Sequence, residues 1–377
     1  MKVLVNIARV LVGLLFIFSG LIKANDPLGL SYKMQEFFDL WGMNHFNSWT
    51  LTMSVLMNTF EILAGFALLI GWRIRLFTWL LLLLIIFFTF LTGYAYLSGN
   101  FKNCGCFGDC IPIEAKTSFI KDLVLLVLIA FIFWQQRYIK PLWKNSTSAL
   151  SLLLVIAFSL AIQWYMLNYL PVFDCLPYKK GNNIAEKMKI PAGARPDSFA
   201  ILFVYEKEGK QYEFTASDLP ADLGSYKFIS RKDKLIRKGN AEPAIKGFDL
   251  SGESNVDSTS QVLSQPYAVL LFCENFSIPV SSWEKDFLPV YRAAVAKNIP
   301  VYMVTSEPGL AQEKISKTEF APITIYKCDY TAIRTAARTN PCVYVLQQGT
   351  ILGKWSKHGF SSAEAQLEKF NKQNINP

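Results

Sequence analysis

The stretch Asn103-Cys104-Gly105-Cys106-Phe107-Gly108-Asp109-Cys110 holds three of the chain's seven cysteines. The apolar run Ile74–Leu97 precedes it and Phe119–Trp134 follows it. A cluster of thiols between two such runs belongs to a short loop at a membrane surface. Three more runs, Val3–Ile22, Leu51–Gly71 and Ser148–Tyr169, bring the apolar segments to five. A helix needs about 20 apolar residues to cross about 30 Å of hydrocarbon. Phe119–Trp134 is the shortest and needs its flanking residues to span.

Mean hydropathy is +0.25, yet 18% of the residues are charged. That mixture describes a membrane half joined to a soluble half. Residues 1–170 carry 12 Lys+Arg and 7 Asp+Glu, and residues 171–377 carry 26 and 22. The basic excess is spread over both halves with no dense block, so it excludes a nucleic-acid footprint. Seven cysteines are too few for a disulfide scaffold of this length and enough for a redox site.

Orientation follows from Lys and Arg in the short loops. Lys2, the turn Trp72-Arg73-Ile74-Arg75, and Arg137, Lys140 and Lys144 mark alternate loops as cytoplasmic. The loop after the first run mixes Lys23, Asp26, Lys33, Glu36 and Asp39, and the cysteine loop is mixed too, so both lie outside. Five spans that start inside leave the soluble tail outside, in the same oxidising compartment as the cysteine loop. No Ala-x-Ala site follows the first run, which reads as a retained span.

Two ionisable groups are expected within spans. Glu61 is mid-span with Asn58 and Gly65 on its face, and Arg9 is about two turns into the first span. A charge at such depth normally faces the bundle interior. Glu61 reads either as an interhelical tie or as a proton or quinone site with Arg9 as partner. Arg9 equally reads as snorkelling to the headgroups. Thr89, Thr92, Gly93 and Tyr96 give the third span a polar face directed toward the cysteine loop.

Three thiols in the loop allow one disulfide, 104–106, 104–110 or 106–110, and one leftover. Gly105 and Gly108 relax the backbone so that sulfurs this close in sequence can meet. Cys175 follows the fifth span by a few residues on the same side, and it is a candidate partner for the leftover thiol. The cluster reads as redox thiols or as a structural staple. Its spacing lacks the paired pattern of a zinc site, and neither histidine is near, so no metal is expected.

The N-terminal part resembles the DoxX/MauE family of small four-helix membrane proteins. The resemblance rests on Arg9-x3-Gly13-x2-Phe16-x3-Gly20-x2-Lys23, on Glu61 with Gly65, and on Cys-Gly-Cys-Phe-Gly before the fourth span. The whole chain is similar to a longer group that adds a fifth span and a periplasmic thioredoxin-like tail. The resemblance implies a bacterial inner-membrane protein. It also implies a link to disulfide formation, as with MauE and a disulfide-rich methylamine dehydrogenase subunit, or to quinone-linked sulfur oxidation. Glu61, Arg9 and Lys23 then become the candidates for a quinone site.

In the tail, residues 171–198 are polar and irregular and read as a linker on the membrane surface with a short helix near Ile184–Met188. Phe199–Tyr205 and Gln211–Phe214 form a hairpin pattern, with further strand over Lys227–Ile236. From about Pro243, strands at Tyr267–Cys273, Pro300–Thr305 and Thr324–Cys328 alternate with helices. A hairpin of Cys342–Leu346 and Ile351–Trp355 and a last helix complete a thioredoxin-like order. In that fold a Cys-x-x-Cys follows the first strand. Here the run is Phe276-Ser277-Ile278-Pro279-Val280, so Ser277 and Val280 stand where the cysteines would be. Asn340-Pro341 matches the cis-proline loop, with Cys342 beside the vacated site and Cys273 and Cys328 as candidates to join it, and all three equally read as small buried hydrophobes.

The expected architecture is an α-helical membrane bundle followed by an α/β thioredoxin-like domain with an extra β-hairpin region. The units are a four-helix part over 1–147, a fifth transmembrane helix over 148–170, a linker and small β region over 171–242, and a thioredoxin-like domain over 243–377. The expected function is thiol–disulfide or quinone-coupled electron transfer through Cys104, Cys106 and Cys110, with Cys175 as partner. The alternative is a non-catalytic assembly factor whose tail binds a periplasmic protein. A small-solute transporter fits less well, because repeats and broken-helix signals are lacking.

Overall fold

The computed structural model describes residues 1–99, 105, 107–195, 198–220, 222–237, 239, 241–252 and 255–370. Cys104 and Cys106 lie outside the described residues. The membrane part comprises α1 (Lys2–Asn25), α2 (Pro27–Leu40), α3 (Thr50–Ile70), α4 (Ile74–Ser98), α5 (Ala115–Trp134) and α6 (Asn145–Tyr169). Among the described residues five helices are long and apolar enough to cross a membrane, and α2 is the sixth, shorter one. The fourth spanning helix begins at Ala115 rather than Phe119, which supplies the missing turn.

α1 and α3 pack with their backbones close together. A side chain built on Gly65 would meet the Gly13 carbonyl at 2.7 Å, and one on Gly20 would meet Ile62. Small residues permit such approach where lipid tails supply no hydrophobic drive between helices. α6 is tied to α3 by polar side chains. Asn58 donates to Gln163 at 3.1 Å, Gln163 donates to Thr59 at 3.0 Å, and Ser159 donates to Thr59 at 3.2 Å. The outer surface is left to lipid, with Leu4, Leu14, Leu56, Leu83, Val127 and Leu153 all exposed.

α2 was expected to be loop. Asp26 caps it by accepting from the Gly29 amide at 3.1 Å, and Pro27 occupies its first turn. A cap residue followed by proline is a helix-start signal, because proline's missing donor costs nothing at that position. α2 lies across the end of the bundle that carries the cysteine loop.

The tail follows with α7 (Ile184–Lys187), β1 (Ser198–Lys207), β2 (Lys210–Thr215), β3 (Lys227–Arg237) and α8 (Thr259–Leu263). Then come β4 (Ala268–Cys273), α9 (Glu284–Val295), β5 (Val301–Thr305), α10 (Pro308–Ile315), β6 (Thr324–Lys327), α11 (Tyr330–Ala336), β7 (Cys342–Gln347), β8 (Thr350–Ser356) and α12 (Phe360–Glu368). β1 to β3 form a small antiparallel sheet in the order β2-β1-β3. The main sheet runs β6-β5-β4-β7-β8, with β4, β5 and β6 parallel, β7 antiparallel to β4, and β8 antiparallel to β7. That order, with helices on both faces, is thioredoxin-like.

Alternation along β4 sends Val269, Leu271 and Cys273 to one face, against Trp283, Phe287 and Phe360. It sends Leu270 and Phe272 to the other face, against Phe248, Ile333 and Ala336. The segment expected as a surface linker joins this second core instead. Tyr178 and Ile184 are buried in it. The segment is also hydrogen-bonded to the β7–β8 hairpin, through Gly181 N to Ile351 O at 2.8 Å and Ile184 N to Gly349 O at 2.9 Å. An aromatic and an aliphatic residue among polar neighbours were enough to draw it into the domain.

Candidate functional site

A cavity of about 500 Å³ lies between α1, α2, α3, α4 and α5, toward the cysteine-loop end. Its walls are mostly apolar, including Met53, Met57, Phe60, Phe87, Phe88 and Leu91. α2 roofs it with Leu30, Met34, Phe37 and Phe38. Gly105 and Phe107 of the cysteine loop also line it, so the backbone between Cys104 and Cys106 borders this space.

Two buried carboxylates face the cavity. Glu61 is 1% exposed, pairs with Lys23 and accepts from Ser19 Oγ at 3.0 Å. The Lys23 ammonium also lies 5.3 Å from the centre of the Phe88 ring. Asp122, on α5, is likewise 1% exposed. It accepts from Thr92 at 3.0 Å and pairs with Lys121 at 2.9 Å, and Lys121 stands over Phe107 at 4.9 Å. Charges taken out of water need a partner and further hydrogen bonds, and both carboxylates have them. The arrangement offers a lipid-soluble ligand an apolar slot with two polar contacts, one deep and one beside the cysteine loop.

The structure brings together Glu61 and Lys23 and separates Arg9 from them. Arg9 lies at the opposite end of α1, where its guanidinium approaches the α3–α4 turn at Gly71, and it does not line the cavity. The ten residues from Arg9 to Ser19 rise about 15 Å along a helix. The polar partner of Glu61 is therefore the lysine at the near end of α1. Asp122 was missed, although a lone acid inside an apolar run is itself the signal for such a site.

Cys110 and Cys175 form a disulfide, with Cα atoms 4.8 Å apart. It joins the cysteine loop to the segment that leads from α6 into the soluble domain. The soluble domain is held against the same end of the bundle. Arg338, 5% exposed, donates to Asp26 at 2.8 Å and to Asp109 at 2.6 Å. Lys354 pairs with Asp174 at 2.6 Å. Arg334 donates to Gln35 and lies 3.7 Å above the Tyr32 ring. Burial, reinforced by Asp109, outweighs Arg338 and lifts the Asp26 carboxyl above its ordinary range. These residues are up to 312 positions apart, and no sequence signal marks them as partners.

Ser277 and Val280 follow β4, where the expected dithiol of a thioredoxin-like site would stand. The Asn340–Pro341 bond is cis, and Asn340 ties this loop to the one after β4, donating to Asn275 O at 2.8 Å. Ser277 and Pro279 are exposed and Val280 is buried. Cys273, Cys328 and Cys342 are unbonded and buried. Cys342 and Cys328 belong to one core and Cys273 to the other. Burial raises all three thiols, Cys328 and Cys342 to about 12.

Five membrane-length helices and this α/β unit define a multi-pass membrane protein with a thioredoxin-like soluble domain. Residues 1–135 match the family described as methylamine utilisation protein MauE, as the resemblance carried by α1, α3 and the cysteine loop implied. Residues 199–238, which cover β2, β3 and all but the first residue of β1, match a domain of unknown function, DUF8463. The chain is similar to Protein TlpB of Flavobacterium psychrophilum, with 27% identity over 129 residues. That match covers 33% of this chain and spans about a third, 35%, of the relative. Among solved structures it is similar to yeast Sco1 and to yeast Sco1 with copper bound. Both are 13% identical with a TM-score of 0.26, covering 33% and 34% of this chain and 94% and 95% of theirs.

Proposed function

We propose that this protein passes electrons between thiols at its cysteine loop and a quinone in the intramembrane cavity. The observation that carries the reading is the shared wall: Gly105 and Phe107 line the same cavity as Glu61, Lys23 and Asp122. In the oxidising direction a dithiol gives up two electrons and two protons, closes to a disulfide, and the quinone becomes a quinol. Lys23 would donate to one quinone oxygen, Glu61 would hold a proton beside it, and Asp122 would accept from the hydroxyl of the quinol at the other end. Cys104 and Cys106, with Cys110 and Cys175, supply two pairs for a relay by thiol–disulfide exchange, which proceeds by thiolate attack on a neighbouring disulfide.

The chain would sit in a bacterial inner membrane with its N-terminus in the cytoplasm and its soluble domain in the periplasm. Arg73, Arg75, Arg137, Lys140 and Lys144, all near the helix ends away from the cysteine loop, support this orientation. A second reading, a docking factor for a periplasmic protein, draws on the soluble domain's lack of a dithiol.

Thiol trapping in respiring cells tests the choice. Redox cycling predicts a mixture of reduced and oxidised forms that shifts toward the reduced form when respiration is blocked, and Cys106→Ser and Cys110→Ser each alter that mixture. A fully oxidised protein that ignores respiration would leave the docking reading.

A further inference from the structure

The two cysteines of the bridge share an unusual setting. Each is preceded directly by an aspartate, and each aspartate is held by a basic residue of the soluble domain. Asp109 precedes Cys110 and accepts from Arg338 at 2.6 Å. Asp174 precedes Cys175 and pairs with Lys354 at 2.6 Å. Both cations are more than nine-tenths buried, at 5% and 8% exposed. Arg338 is anchored in turn by Asp26 at the start of α2 and donates to the Arg334 carbonyl at 2.8 Å. Asn25 completes the frame. It accepts from the Phe173 amide at 3.0 Å and donates to the Phe173 carbonyl at 2.8 Å, two residues before Cys175. The backbone on both sides of the disulfide is thus fixed by the docked domain, at a Cα separation of 4.8 Å that suits a disulfide.

We propose that Arg338 and Lys354 are positioning residues for the Cys110–Cys175 couple, so that docking of the soluble domain sets its reduction potential. Neither residue exchanges electrons. Docking presents the two thiols to each other at high effective concentration and so favours the disulfide. Coupling of this kind is reciprocal, so opening the disulfide loosens the docked domain. The proposal rests on the redox reading only for its use in the cell, because the coupling stands on the two ion pairs. It gives the domain without a dithiol a part in the chemistry: it controls how readily a bridge outside itself opens.

The test uses the full chain in lipid nanodiscs, equilibrated with mixtures of reduced and oxidised dithiothreitol. Reduction breaks the S–S bond, two electrons and two protons pass from the reagent to the protein, and the reagent closes to its own disulfide. Alkylation and peptide mass spectrometry read Cys110 and Cys175 directly. Arg338→Gln with Lys354→Gln should move the equilibrium at least tenfold toward the dithiol, which is about 30 mV for a two-electron couple. Arg338→Lys, which keeps the charge and loses the fork that spans two carboxylates, should fall between. Hydrogen exchange supplies the reverse arm. Reducing the wild type, or replacing both cysteines by alanine, should speed exchange in residues 330–338 and 170–176. A double variant whose thermal transition is unchanged and whose equilibrium stays within twofold of wild type overturns the proposal. So does exchange that ignores both reduction and the Cys110→Ala/Cys175→Ala variant. A shift in vitro beside a couple that stays oxidised in respiring and blocked cells would keep the positioning role and remove the redox cycle.

Discussion

The five cysteines with described surroundings fall into two environments that differ in almost every property governing thiol chemistry. Cys110 and Cys175 are bonded at the end of the membrane bundle, among charged residues. Cys273, Cys328 and Cys342 sit on or beside strands of the soluble domain, divided between its two cores and raised toward the neutral thiol. A thiolate is the reactive form, and burial among apolar groups withholds it. The thioredoxin-like domain therefore carries cysteines held as neutral thiols, and the proposed exchange falls to the cysteines at the membrane end.

The largest effect should come from unpairing the buried lysine of the cavity. Lys23→Met leaves Glu61 without its cation and should cost about 3–5 kcal/mol, the usual penalty for breaking a buried pair, read as a lowered melting temperature in detergent. Lys23→Met with Glu61→Met should restore most of that stability while the proposed quinone-dependent thiol oxidation stays lost. Activity surviving in the double variant would move the reactive site away from the cavity and break the contrast.

Packing of the bundle comes next. Gly65→Val puts a side chain against the Gly13 carbonyl, at 2.7 Å for its first carbon. It should cost about 1–3 kcal/mol, as overpacking does, again by thermal unfolding, with the soluble domain's own transition unmoved.

A third prediction concerns the soluble domain and pH. Folded Cys328 and Cys342 hold their protons up to about 12, whereas an unfolded thiol releases its proton near 9.0. The unfolded chain binds fewer protons over that window, so stability present below pH 9 is lost as pH rises toward 12. The slope is about 1.4 kcal/mol per pH unit for each thiol. The difference in slope between wild type and Cys328→Ala/Cys342→Ala in denaturant titrations checks this, and equal slopes would break it. The smallest effect should be that of Cys273→Ala and Cys328→Ala on thiol exchange with a small disulfide, namely none.

Much of the fold was legible because its signals are local. Apolar runs of membrane length mark the five spans, and short apolar or alternating runs between turn residues mark the strands. The position of the missing dithiol follows from Phe276-Ser277-Ile278-Pro279-Val280 after a strand. Two local signals were present and overlooked: Asp26-Pro27 at the start of α2, and Asp122 within the fourth span. Other features carry no local mark. Tyr178 and Ile184 look like linker residues until the β7–β8 hairpin lies beside them. Arg9 and Lys23 are both basic residues of one helix, and only the antiparallel fit of α1 on α3 decides which of them meets Glu61.

By itself the sequence determined the five spans, the shared side of the cysteine loop and the tail, the strands of the tail, and the absence of thiols at 277 and 280. Each follows from periodicity, charge or spacing read within a few residues. Only the tertiary structure decided that Glu61 pairs with Lys23, that Cys110 bonds Cys175, and that Arg338 closes on Asp109 and Asp26. Those partners lie 38, 65, 229 and 312 residues apart. Contacts at such separations depend on how whole helices and domains pack, which no window of sequence contains.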